Sequence, residues 1–172
     1  DAYMQSVAGQ RPYFFDHIAA MTDASMAEYA SLTGRSYQRV SSWQCDDADY
    51  LILGMGSMIV QAEAVADYLR TTRKLKVGVV NLTMFRPFPG DALGHVLRGK
   101  KGVAVLERTD QPLAEDLPLM REVRATLSKC LENGQAAADR GANPNAELPN
   151  PGYASIPAAG SRKIFTSNGS NG

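Results

Sequence analysis

Apolar and polar positions sort the chain into runs of two periods. At Tyr50-Leu51-Ile52-Leu53 a short apolar run closes on Gly54-Met55-Gly56-Ser57, and a helical pattern follows directly. Such a run, too short for a helix and ended by glycine, predicts a buried strand feeding a helix. Within that helix Ile59, Val60, Ala64, Val65, Tyr68 and Leu69 fall on one broad stripe, with Glu63, Asp67 and Arg70 on the other face. Arg70, Arg73 and Lys74 suit its C-terminal dipole. A second strand is predicted over Lys76 to Leu82, rich in valine, and Arg86-Pro87-Phe88-Pro89-Gly90 predicts a turn. A short helix over Asp91 to Leu97, a third strand over Gly102 to Leu106 and a polar loop to Glu115 come next. A last helix from about Leu117 to Leu131 has Pro118 in its first turn, where proline is tolerated.

The flanks are less regular. Residues 1–20 read as a lead-in segment with an aromatic cluster, Tyr13, Phe14 and Phe15, that needs a neighbouring surface to cover it. Met21 to Leu32 has helical spacing and Thr33-Gly34 supplies a stop, while Ser36 to Trp43 alternates as an edge strand would. Beyond Asn133-Gly134 the composition shifts to Ala, Gly, Asn and Pro, so 134–172 reads as an extended linker or arm. Both ends look cut. The order strand, helix, strand, helix, strand, helix over 21–133 predicts one α/β domain with three layers, a mostly parallel sheet carrying helices on both faces.

Composition narrows the function classes. With 172 residues there is room for one well-buried domain. The 18 basic and 18 acidic residues cancel, which disfavours nucleic acid and anionic membrane surfaces as partners. No apolar run is long enough to span a bilayer, and no signal-peptide pattern opens the chain. Cys45 and Cys130 stand far apart and outside any CxxC pair, which suits a cytoplasmic protein and gives metal or cluster ligation no support.

Candidate chemistry is sparse. Gly54-Met55-Gly56-Ser57 occupies the place of a phosphate-binding turn but lacks the third glycine of GxGxxG, and a tight turn with Ser57 as helix cap explains it as well. Arg86, and Arg108 with Asp110 in Glu107-Arg108-Thr109-Asp110, follow strand C-terminal ends, where ligands bind and domains dock in open α/β sheets. With no histidine or cysteine beside them to act as base or nucleophile, these three are interface or loop-fixing residues, and no catalytic residue is assigned. His17 and His95 are isolated and read as structural.

Four stretches together carry a family likeness: Leu32-Thr33-Gly34-Arg35-Ser36-Tyr37; Ala48-Asp49-Tyr50-Leu51-Ile52-Leu53-Gly54-Met55-Gly56-Ser57; Lys76-Val77-Gly78-Val79-Val80 through Arg86-Pro87-Phe88; and Val103-Ala104-Val105-Leu106-Glu107-Arg108-Thr109. In order and spacing they resemble the transketolase C-terminal-like domain that follows the pyrimidine-binding domain in pyruvate:ferredoxin (flavodoxin) oxidoreductases. The resemblance implies a parent that oxidatively decarboxylates a 2-oxoacid on thiamine diphosphate with Mg. Electrons would leave through [4Fe-4S] clusters to ferredoxin or flavodoxin, and the acyl group would pass to coenzyme A. It implies that this chain binds no cofactor of its own and acts as an architectural domain against other domains or subunits, inactive alone. A contact with coenzyme A is implied for Ser161, Arg162 and Lys163 in the segment Gly160 to Thr166, which is partly similar to the family's. Where the family has a basic residue after the Arg-Thr pair, this chain has Asp110. Alternatives are the equivalent domain of a transketolase-like or E1 enzyme, a stand-alone nucleotide-binding module using the Gly54 to Ser57 turn, and an assembly domain without ligand.

Overall fold

Each of the three central apolar runs carries bulky side chains on both faces, so only a sheet covered on both sides can bury them. These runs form β2 (Tyr50–Gly54), β3 (Val77–Leu82) and β4 (Gly102–Leu106). In the computed structural model, which describes residues 1–139, 147–157 and 163–167, β2 is the central strand. It runs parallel to β3 on one side and to β4 on the other, with Tyr50 opposite Val77 and Gly102. An edge strand, β1 (Val40–Trp43), pairs antiparallel with β3, and β5 (Lys163–Ser167) pairs parallel with β4. The order is β1-β3-β2-β4-β5.

Alternation along the strands supplies the two cores. Ile52, Val77, Val79 and Leu106 face α3 (Met58–Arg73), meeting Ile59, Ala62, Ala66 and Leu69. On the other face Leu51, Leu53, Val80, Leu82, Val103 and Val105 meet Leu93 and Leu97 of α4 (Gly90–Leu97). Leu119, Met120 and Val123 of α5 (Pro118–Asp139) complete that core. The result is the three-layer α/β arrangement, mostly parallel, that the element order predicts.

The stripe read on α3 is corrected in one respect. Ile59 and Leu69 do turn inward, but Val60 is 70% exposed, Val65 49% and Tyr68 60%. The residues pressed on the sheet are the small ones, Ala62 and Ala66, which let the helix axis approach the strands closely. Hydrophobicity alone does not distinguish a large apolar residue facing out from a small one facing in.

The lead-in segment is helical. It comprises α1 (Ala2–Tyr13), a single 3-10 turn (Phe15–His17) and α2 (Ile18–Thr33), which starts three residues before the predicted Met21 and ends on Gly34 at φ 73°. No residue of either helix is buried. The link from α2 to the body is Arg39, just ahead of β1. Its Nε donates to Asp23 of α2 at 2.9 Å, and its two terminal nitrogens donate to the carboxylate of Asp91 on α4 at 3.2 Å each. Burial pushes the Asp91 carboxyl up, but the hydrogen bonds from Arg39 and from the Ala92 N–H outweigh it and hold it below the ordinary 3.8.

The stretch after Asn133-Gly134 departs from the linker reading. Helix α5 continues to Asp139, and 147–157 folds back so that Ala154 and Ile156 are buried in the α4–α5 core. Asn133, fully buried, organises the return: its Nδ2 donates to the carbonyls of Asn150 (2.8 Å) and Tyr153 (2.9 Å), and its Oδ1 accepts the Asn150 N–H at 3.0 Å. The Ile156 N–H donates to the Cys130 carbonyl at 2.9 Å. Gly134, which reads as a helix stop, is instead the crossing point, since a Cβ there would lie 1.9 Å from the Ile156 carbonyl oxygen. Asn and Gly side by side imitate a terminator but serve here as clamp and clearance. No helix of the described residues is long and apolar enough to cross a membrane.

Two outcomes are expected. Gly134→Ala forces the 147–157 stretch off α5 and lowers stability by about 2 kcal/mol or more, as overpacked core sites do, measured by urea unfolding with Gly9→Ala as a control in open space. Asp91→Asn costs about 1 kcal/mol at neutral pH, a charge-assisted pair discounted because Asp91 is half exposed. The Asp91 carboxyl titrates lower folded than unfolded, so its contribution is complete above the ordinary 3.8 and is lost as pH falls through the lower folded value. The stability gap between wild type and variant must therefore close in acid; a gap unchanged at acid pH would show that the pair contributes nothing.

Candidate functional site at the strand ends

Neighbouring strands β2 and β4 send the chain to opposite faces of the sheet. From β2 it enters α3; from β4 it crosses to α5. Their C-terminal ends therefore part, and a crevice opens where ligands and partners characteristically bind in open α/β sheets. It has a volume of about 560 Å³ and is lined by the 55–58 turn, the 106–109 segment, Phe85, Pro118 and Leu119.

One wall is the turn into α3. Gly56 adopts φ 79°, a left-handed conformation that glycine accepts without strain, and nothing stands within 4 Å of where its Cβ would be. Its need is conformational and not a matter of crowding. Ser57 holds the N-cap position but makes no side-chain capping bond, which corrects the reading of it as a helix cap: its backbone is already helical at φ −65°, ψ −20°.

The facing wall is the end of β4 and the start of α5, and here the decisive residue is Glu107. Its two carboxylate oxygens accept the backbone N–H groups of Leu119 (2.7 Å) and Met120 (3.0 Å). A helix N-terminus presents such donors unpaired and favours negative charge. The cap comes from twelve residues upstream, so the local spacing that betrays a capping box is absent. Only the placement of an acid directly after an apolar strand hints at it.

The three strand-end residues singled out in the sequence divide. Arg86 fixes its own loop: it pairs with Glu122 of α5 at 2.8 Å, donates to the Phe85 carbonyl at 2.9 Å and lies over the Phe85 ring at 4.2 Å from the centroid. Arg108 and Asp110 are exposed and make no hydrogen bond or ion pair with each other or with any described residue. Of the three residues linked to coenzyme A, Ser161 and Arg162 lie outside the described residues. Lys163 opens β5 opposite Gly102, the start of β4, and so at the other end of the sheet from the crevice.

A second cluster lies near that other end, where Cys45, Asp46, His95, Arg98 and Lys100 line a smaller cavity of about 360 Å³. Two of these groups are held by the fold. The Lys100 ammonium donates to the carbonyls of Cys45 and Ala48, and the Cys45 thiol donates to the Val79 carbonyl at 3.3 Å. Burial pushes the thiol's pKa up against the pull of Lys100, the opposite of what a nucleophile needs. Among the described residues no three of His, Cys, Asp and Glu come together as a metal-binding group.

Comparison with known proteins gives this geometry its relatives. The family model described as "Pyruvate:ferredoxin oxidoreductase core domain II" matches residues 48–140, from just before β2 to the end of α5. This chain belongs to the pyruvate:ferredoxin oxidoreductase family. Among its relatives is a protein named probable pyruvate-flavodoxin oxidoreductase, from Escherichia coli (strain K12), 35% identical over 139 residues; the match takes in 78% of this chain and 11% of that protein. The pyruvate:ferredoxin oxidoreductase of Moorella thermoacetica is 32% identical over 130 residues, 75% of this chain and 11% of its own length. Pyruvate synthase subunit PorA of Thermotoga maritima is 34% identical over 125 residues, 67% of this chain and 31% of the subunit. The chain thus spans about a tenth of the first two relatives and a third of the third. The core-domain match contains both walls of the crevice, whereas α1, α2 and β1 lie outside it.

Replacing Glu107 with Ala leaves two partly buried N–H groups without their acceptor. The expected loss is about 2 kcal/mol, with Glu107→Gln closer to wild type because it retains one acceptor oxygen. Urea unfolding of both variants measures it, and equal losses would show that hydrogen bonding at this cap is unimportant.

Proposed function

We propose that this chain is a structural and assembly domain of a thiamine diphosphate-dependent 2-oxoacid oxidoreductase, whose substrate is pyruvate or a near relative. The parent would convert the 2-oxoacid to acyl-coenzyme A and pass electrons to ferredoxin or flavodoxin in the cytoplasm. The observation that carries this reading is the match to core domain II in a chain that fills only about a tenth of the oxidoreductases it resembles. The family match favours this parent over a transketolase-like or E1 enzyme.

The residues present bear on which cofactors of such a parent this chain could hold. A [4Fe-4S] cluster takes about four thiolates, and this sequence has two cysteines, both buried in the hydrophobic core. Those residues do not fit a cluster. The Mg of a thiamine diphosphate would take one or two carboxylates beside the diphosphate oxygens, and the described residues bring no three of His, Cys, Asp and Glu together. Both groups are assigned to other domains of the parent, and no chemical step is routed through this one.

What the chain does offer is surface. Tyr3, Tyr13, Phe14 and Leu32 on and between α1 and α2 are 64–77% exposed, an apolar area of the kind that marks a contact with another domain. The expected outcome is that the purified 172-residue chain shows no coenzyme A-dependent 2-oxoacid oxidation, while the full gene product does. Turnover by the chain alone, or none by a full product loaded with its cofactors, would sink the reading.

A further inference from the structure

The loop between β4 and α5 carries a backbone outlier at its tip. The Ala114 N–H donates to the Gln111 carbonyl at 3.1 Å, closing a turn with Pro112 second and Leu113 third, and Leu113 sits at φ 70°. Proline second and a positive φ third is the pattern of a type II turn, whose third residue is ordinarily glycine because a side chain there crowds the backbone. Two other non-glycine residues among those described have left-handed backbone, Gln44 (φ 51°) and Lys74 (φ 55°), and each has a local reason. Gln44 is held by its side-chain amide on Asp67 and by Arg70 on its carbonyl. Lys74 ends α3, where a left-handed residue is a common helix stop. Leu113 has no such compensation, since its side chain is fully exposed. The turn that presents it is nonetheless braced: the Gln111 side chain accepts from Arg121 of α5 at 2.9 Å, and Asp116 pairs with Arg124 at 3.0 Å. A single exposed leucine is ordinary, but a strained one held out by a braced turn in glycine's place points to a use for its side chain.

We propose that Leu113 is an anchor that seats in an apolar recess on the same polypeptide of the parent, outside these 172 residues. The inference rests on the assembly reading above and deepens it by naming the contact and its complement. One leucine buries too little surface to hold two free molecules together. It suffices for a neighbour on the same chain, whose tether keeps it at a high effective concentration. Each of the three relatives named above has such a neighbour, because the matched stretch makes up 11%, 11% and 31% of a longer chain. Charge does not select the recess: the exposed groups around the tip balance, Arg108 and Arg121 against Asp110 and Glu115. The complement is therefore an apolar pocket of leucine's size.

Trypsin cleavage after the exposed Arg108, timed by peptide mass spectrometry on the folded full gene product, tests the anchor. Leu113→Asn accepts the left-handed backbone better than leucine does, so the turn survives and only the apolar side chain is lost. Leu113→Met keeps an apolar side chain of similar volume. The expected result is that Leu113→Asn is cut at least about fivefold faster than wild type, as an undocked loop is, and Leu113→Met within about twofold of it. A Leu113→Asn loop cut at the wild-type rate or more slowly would overturn the anchor, because easing the turn would then be all that the substitution does. The occupant is read by placing a photoreactive diazirine amino acid at Leu113 or, in a second variant, at the exposed Tyr13, and identifying crosslinked peptides after irradiation. Crosslinks from the first position are expected to residues of the same chain outside these 172. Crosslinks from it to a second chain would overturn the same-chain recess, and crosslinks to residues within the 172 would show a local contact in its place. Crosslinks from the Tyr13 position alone would overturn the anchor and leave the assembly reading standing, whereas none from either would overturn both.

Discussion

Everything in this domain is arranged around the double burial of one strand. β2 carries Leu51 and Leu53 into one core and Ile52 into the other, and Leu53 is completely inaccessible to solvent. A strand loaded on both faces must sit in the middle of a sheet, flanked by parallel neighbours and covered by helices above and below. With β2 in the middle, β3 and β4 take its two sides, and right-handed crossovers then place α3 on one face and α4 and α5 on the other. The parting of β2 from β4, and so the crevice, follows from that central position and not from any residue in the crevice itself.

Electrostatics then decides what the crevice can do. A single dipeptide, Glu107-Arg108, places opposite charges side by side, yet the two have unlike fates. The acid turns inward to satisfy the first turn of α5, and the base is left facing solvent. Had Glu107 paired with Arg108 instead, the first turn of α5 would lack these two acceptor contacts. The cap thus uses the acid to hold α5, and Arg108 has no partner among the described residues.

The sequence made the strands legible because three apolar runs ended by turn residues admit little else, and the helices between them follow from period. It was less informative wherever the outcome depended on size or on distant partners. Ala62 and Ala66 look weaker than Val60 and Tyr68 as core residues, but closeness of approach, not hydrophobicity, chose the inward face of α3. Gly134 has the look of a stop, yet the reason for a glycine there is a carbonyl more than twenty residues further along. At the site, Arg86 and Arg108 could be singled out by their position after strands. That one is bound by Glu122 and the other has no partner among the described residues is a fact of three-dimensional neighbours, as is the capping role of Glu107.

The outward face of α3 bears on how the chain behaves at the bench. Val60, Ala64, Val65 and Tyr68 form a greasy ridge along sixteen residues of surface helix, on a molecule whose formal charge is zero. Little long-range repulsion keeps two such ridges apart near neutral pH, and added salt weakens even that. Solutions of the separated chain will scatter light increasingly with concentration and ionic strength, and moving the pH well away from about 6.9 will clear them.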